Sequence, residues 1–176
     1  MTKRSSVLCL FSDASADPTT KWGVGAYLLI DQNDIALLSQ PKNEKILIER
    51  LRFHNETQTS STKLEIQTLL VALGDYHKEA ENSALQIYTD SQAIMGLLKR
   101  RVSLTQKNFV SKRSGTELTL ADLYRQYYAF YDAHPFFVIK LKGHSNSSDV
   151  VSPEQQIFSI LDQQVRKKLR EKRAVT

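Results

Sequence analysis

At 176 residues, with 41% hydrophobic and 24% charged residues, the chain has the composition of one ordinary globular domain rather than a disordered or fibrous one. Its single cysteine rules out an internal disulfide framework, and no apolar run is long enough for a secretory signal or a membrane span, so a cytoplasmic compartment is expected. The net charge of +5 is unevenly spread: residues 1–98 hold 9 Lys/Arg against 12 Asp/Glu, or −3, and residues 99–176 hold 15 against 7, or +8. Either a polyanionic partner for the second half or a solvated basic face accounts for that asymmetry.

In chain order, "SVLCLFSD" (6–13) reads as a buried strand, with Cys9 a core residue rather than a reactive thiol. "TKWGVGAYLLI" (20–30) reads as its antiparallel neighbour, its glycines allowing a close approach. A third strand is expected in 35–40 or 46–56, where "KILIERLRF" partly alternates. Apolar residues at 66, 69, 70, 73 and 76/77 predict a helix over 62–80, and "ALQIYT" (84–89) predicts a fourth strand. A short helix follows from 91 to about 100, then a basic stretch, a helix over 117–133 and a strand over 135–143. The last helix starts at "SPEQ", with Ser152 at its N-cap and Pro153 first inside, and runs towards Arg173. Three strands on short links imply an antiparallel meander, and the strands reached through helices should add in parallel. The expected architecture is an α/β single domain: a mixed five-stranded sheet, three antiparallel strands then two parallel, with helices on both faces.

Four acids stand out on this frame. Asp13 ends the first strand and Asp90 the fourth; if those strands are parallel neighbours, both carboxylates emerge at one sheet edge, where open α/β sheets bind ligands. Each alone is also an ordinary turn or helix-cap residue. Glu65 fits a capping box with Thr62, yet shares a stripe with Leu69, Ala72 and Tyr76 that points partly to the sheet. Asp162 interrupts the core-facing row Phe158, Val165 and Leu169, so it needs a cation or donor partner. Asp149, in the polar loop "GHSNSSDVVS", competes with it. Converging carboxylates without a Cys/His set point to Mg²⁺ or Mn²⁺ rather than zinc. Two such ions roughly 3.5–4 Å apart can promote phosphodiester cleavage. No Ser-His-Asp order, P-loop or G-x-G-x-x-G motif competes.

The ordered set "FSDAS", "TSSTKLEIQTLLVAL", "IYTDSQAI", "KLKGHS" and "LDQQVRKKL" resembles the type 1 ribonuclease H family, including the domain attached to retroviral reverse transcriptases. The likeness covers about residues 7–172. It implies an endonuclease that cuts the RNA strand of RNA/DNA hybrids with two Mg²⁺ ions. By position, Asp13, Glu65, Asp90 and Asp162 match the family's metal-binding carboxylates, with Asp13 shared between the ions. His144 matches the loop histidine linked to proton transfer or product release; outside that context it is a plain solvated loop residue. The basic stretch 99–115, with Lys99, Arg100, Arg101, Lys107, Lys112 and Arg113 and no acid, takes the place of the family's hybrid-gripping protrusion.

Ser61 and Thr62 stand where the family often has asparagines that touch the RNA, so a different grip on the 2′-hydroxyls is expected. The 18 residues from His144 to Asp162 form a longer link than usual in bacterial relatives, the protrusion lacks tryptophans, and extra residues lie between Gly25 and Glu65. No membrane and no obligate protein partner is expected. The rivals are another nuclease of the same superfold acting on DNA, and an inert nucleic-acid-binding module.

Overall fold

The computed structural model describes residues 6–80, 82–142 and 151–175. Strands β1 (Val7–Ala16), β2 (Gly23–Asp31), β3 (Arg52–Glu56), β4 (Ala84–Thr89) and β5 (Phe137–Lys140) form one sheet in the order β3-β2-β1-β4-β5. The pairs β1–β2 and β2–β3 are antiparallel, and β1–β4 and β4–β5 are parallel, as the meander-then-crossover reading requires.

Alternation along β1 sends its residues to opposite faces. Leu10 joins a core with Leu69, Leu73, Leu97 and Tyr127, built by helices α3 (Ser61–Ala80), α4 (Gln92–Gln106) and α5 (Ala121–Ala133). Cys9 and Phe11 join the other core, with Leu38, Leu47, Ile157, Leu161 and Val165, under α1 (Ile35–Leu38), α2 (Glu44–Arg50) and α6 (Pro153–Val175). Burial pushes the Cys9 thiol up to about 11, so it stays an inert core residue. At Gly25 an added Cβ would fall 1.9 Å from Thr68 Oγ1, so only glycine lets α3 lie this close on β2.

The sheet departs from expectation at the third strand. Residues 35–38 and 44–50 are helical, and only Arg52–Glu56 pairs with β2. The apolar run at 46–48 looked like a strand, but Leu47 is fully buried while Ile46 is 45% exposed. Leu47 and Leu51, one helical turn apart, are the residues that reach the core. Helix α4 continues to Gln106 and absorbs the first part of the basic stretch. Helix α5 starts four residues later than expected, at Ala121, because Glu117 forms a β-bridge with Val110 and Leu118 N–H donates to the Phe109 carbonyl at 2.8 Å. Among the described residues, no helix is long and apolar enough to cross a membrane.

Candidate active site

The β1–β4 ladder ends at Phe11↔Tyr88, and Asp13 and Asp90 each stand two residues further on. The two carboxylates therefore leave parallel neighbours at the same level of one sheet edge. Asp13 shares strand parity with Phe11, which places it on the face that α6 covers. There it meets Asp162, and the two carboxyl groups hydrogen-bond to each other.

Glu65 comes from α3 on the other face. The capping-box alternative is not realised: Ser60 caps α3, its Oγ accepting from Lys63 N–H at 3.4 Å and its carbonyl from Leu64 N–H at 2.8 Å. Glu65 Oε2 instead accepts from Ser91 Oγ at 2.6 Å. Ser91 also caps α4, its Oγ accepting from Ile94 N–H at 3.3 Å, so Asp90 is not spent on the cap. Asp162 has the cation its position demands, Arg166 Nε, at 2.7 Å.

These four acids line a single cleft of about 400 Å³ with Ala14, Ser15, Arg166, Leu169, Arg170 and Arg173. Burial first, then the charges of Asp90 and Asp162, push the Asp13 carboxyl up to about 8, against the pull of the Ala14 N–H. Burial also raises Glu65, with Asp90 adding to the rise and the Ser91 hydroxyl opposing it. The cleft thus gathers more negative charge than its own residues neutralise. Among the described residues, no three His, Cys, Asp or Glu side chains are arranged as a metal-holding cluster. Their oxygens are turned to other donors: Glu65 to Ser91, Asp162 to Arg166, and Asp13 to Asp162. The donor set itself, all carboxylate oxygen and short of positive charge, fits a hard divalent cation.

Ser61 and Thr62 are exposed in the first turn of α3, one turn from Glu65. Lys99, Arg100, Lys107, Lys112 and Arg113 are exposed, but Arg101 is tied down by Asp132, with both N–H···O distances 2.6 Å. His144 and Asp149 lie outside the described residues. Sequence reasoning missed Ser91 and the arginine row Arg166, Arg170 and Arg173. The row was legible as cations at helical spacing from Asp162, on the flank of a helix already assigned.

The fold is thus a mixed five-stranded α/β sheet with an acidic cleft where the parallel strands β1 and β4 end. The family model of RNase H matches residues 5–155, and the chain belongs to the RNase H family and is a ribonuclease H. That family acts on RNA/DNA hybrids. The foamy viral protease-reverse transcriptase, solved in complex with double-stranded DNA, shares the fold with a TM-score of 0.58 over 93% of this chain and 95% of that chain, at 9% identity. No curated protein matches the chain significantly.

Proposed function

We propose that the cleft hydrolyses the RNA strand of an RNA/DNA hybrid endonucleolytically with two divalent ions, Mg²⁺ by choice and Mn²⁺ as a substitute. The observation that carries this reading is the convergence of Asp13, Glu65, Asp90 and Asp162, from four different elements, on one cleft. Asp13 would be shared by both ions, Glu65 and Asp90 would complete one set, and Asp162 would belong to the other. When bound, such ions activate water and stabilise the leaving oxygen.

The chain's own residues do the rest. Ser91 orients Glu65, and Arg166 holds Asp162. Ser61 and Thr62 offer hydroxyls to the RNA strand beside Glu65, and Lys99, Arg100, Lys107, Lys112 and Arg113 attract phosphates from α4 and the loop after it, while Arg101 is held by Asp132. His144 is the candidate for moving a proton near the leaving group.

End-labelled RNA/DNA, RNA/RNA, DNA/DNA and single-stranded RNA, each with Mg²⁺, Mn²⁺ or chelator, test the proposal. Metal-dependent cutting confined to the RNA of the hybrid is expected. Cutting of DNA duplex without cutting of hybrid overturns the substrate. No cutting, together with no calorimetric heat of Mg²⁺ binding, favours an inert binding module.

A further inference from the structure

The C-terminal half of α6 carries cations on two flanks, with six Lys/Arg against one glutamate between residues 166 and 173. Arg166, Arg170 and Arg173 face the carboxylate cleft. Lys168 and Lys172 face a separate groove of about 340 Å³, which Trp22, Phe53, Asn55 and Glu171 also line. Trp22 and Phe53 are half-buried, one just before β2 and the other on β3. Each has an ammonium over its ring: Lys168 Nζ lies 4.4 Å from the Phe53 centroid and Lys172 Nζ lies 5.5 Å from the Trp22 centroid. Contacts of this kind near water are weak, so a flat aromatic ligand can take their place.

The groove is tied to the cleft through α6 and the turn before β2. Arg173 Nε donates to Asp17 Oδ2 at 2.5 Å, and Asp17 N–H donates to the Trp22 carbonyl at 2.8 Å. The arginine at the end of the cleft therefore anchors the turn that carries Trp22.

Aromatic rings interleaved with lysines suit unpaired bases, whose faces are free, and not duplex, whose faces are stacked. Removing RNA from a hybrid leaves its DNA strand unpaired. We propose that the groove between α6 and β3 binds single-stranded DNA, one base stacking on Trp22 and another on Phe53, with Lys168 and Lys172 turned from the rings to phosphates. The identity of the strand rests on the hybrid-cutting reading of the cleft.

Trp22 is the chain's one tryptophan, so its fluorescence reports on this groove. The full chain is titrated with a short oligothymidylate in chelator, where nothing is cut. The expected result is saturable quenching that weakens with salt. Affinity should drop about tenfold in the Lys168→Glu, Lys172→Glu double variant, while that variant cuts blunt hybrid within about twofold of the parent. Blunt hybrid should quench little. No saturable quenching at low salt, equal quenching by blunt hybrid, or unchanged affinity in the double variant overturns the proposal. Hybrid cutting without quenching strikes the groove alone. A preparation that quenches but cuts no hybrid strikes the reading of the cleft instead.

Discussion

Two cationic stretches invite the same description and behave differently. On α4, Arg101 is clamped by Asp132 and lies 5.3 Å from the Tyr128 ring centroid, Arg100 lies 5.8 Å from that of Tyr124, and Lys107 Nζ donates to Ser103 Oγ at 2.7 Å. Asp132 and the two tyrosines belong to α5, and Ser103 to α4 itself. On α6, Arg166 and Arg173 bond to Asp162 and Asp17, and with Arg170 they line the acidic cleft. Cation count does not distinguish the two; the acid each cation meets does. The α6 row is electrically part of the cleft, and the α4 stretch is a fixed surface with exposed ends.

The largest expected effect lies at Asp13, the acid proposed to serve both ions. Asp13→Asn should lower hybrid cleavage about 1000-fold, roughly 4 kcal/mol of transition-state stabilisation, with hybrid affinity in chelator unchanged. Cleavage within tenfold of the parent, measured on end-labelled hybrid, would remove Asp13 from the metal site.

The same variant should be more stable than the parent. An Asp raised from 3.8 to about 8 takes up a proton on folding, so its stability cost is absent below about pH 4, grows as pH rises and levels off above about 8. Asp13→Asn should therefore raise the thermal midpoint in chelator by roughly 5–10 °C at pH 8 and hardly at all near pH 4. Mg²⁺ competes with that proton, so its affinity for the parent should increase as pH climbs towards 8. A pH-independent gain in the midpoint would mean that Asp13 is not held among like charges.

A smaller effect tests whether α6 is wired to the cleft. Arg166→Gln takes away the cation that holds Asp162. Half-maximal cleavage should then need about threefold less Mg²⁺, while hybrid affinity falls and its salt dependence loses about one counterion. An unchanged Mg²⁺ requirement would make Arg166 a phosphate contact alone.

Much of the cleft was legible because strand ends and parallel neighbours obey strict geometry. Asp13 and Asp90 follow apolar strands by the same count, and the parallel pairing puts them level. Other readings failed where two periodicities fit the same letters. The run "KILIERLRF" partly alternates like a strand, yet its first half is helical and buries Leu47, with Leu51 one turn further on. Thr62 and Glu65 have capping-box spacing, but Ser60 begins the helix and leaves Glu65 to reach Ser91 across the cleft. The difference between Arg101 and Arg166 was invisible because Asp132 is 31 residues from its partner, whereas Asp162 is only four from its own. Local spacing reveals the second pair and not the first.

On α4, Arg101→Ala should lower stability by about 0.5–1 kcal/mol, the modest value for a partly exposed pair, and leave hybrid affinity within about twofold. Replacing Lys112 and Arg113 with alanine should do the reverse: affinity about fivefold weaker, a shallower salt dependence and an unchanged thermal midpoint. If Arg101→Ala weakens binding as much as that pair does, its Asp132 clamp opens when the hybrid arrives.

The smallest expected effect concerns Ser91, which serves two masters at one oxygen. It caps α4 and donates to Glu65 at 2.6 Å. Ser91→Ala loses the cap and the donor, at about 1 kcal/mol for the cap, while Ser91→Gly loses the donor but costs the cap only about 0.3 kcal/mol. Without the hydroxyl the Glu65 carboxyl should rise further, because the Ser91 hydrogen bond is what pulls it towards ionisation. Both variants should therefore cut hybrid about two- to threefold more slowly on the acidic side of the pH profile and recover as pH increases, in keeping with a carboxyl that ionises later. Equal losses of activity in two variants of unequal stability would place the effect at Glu65. Activity that follows stability would leave Ser91 as the cap of α4 and nothing more.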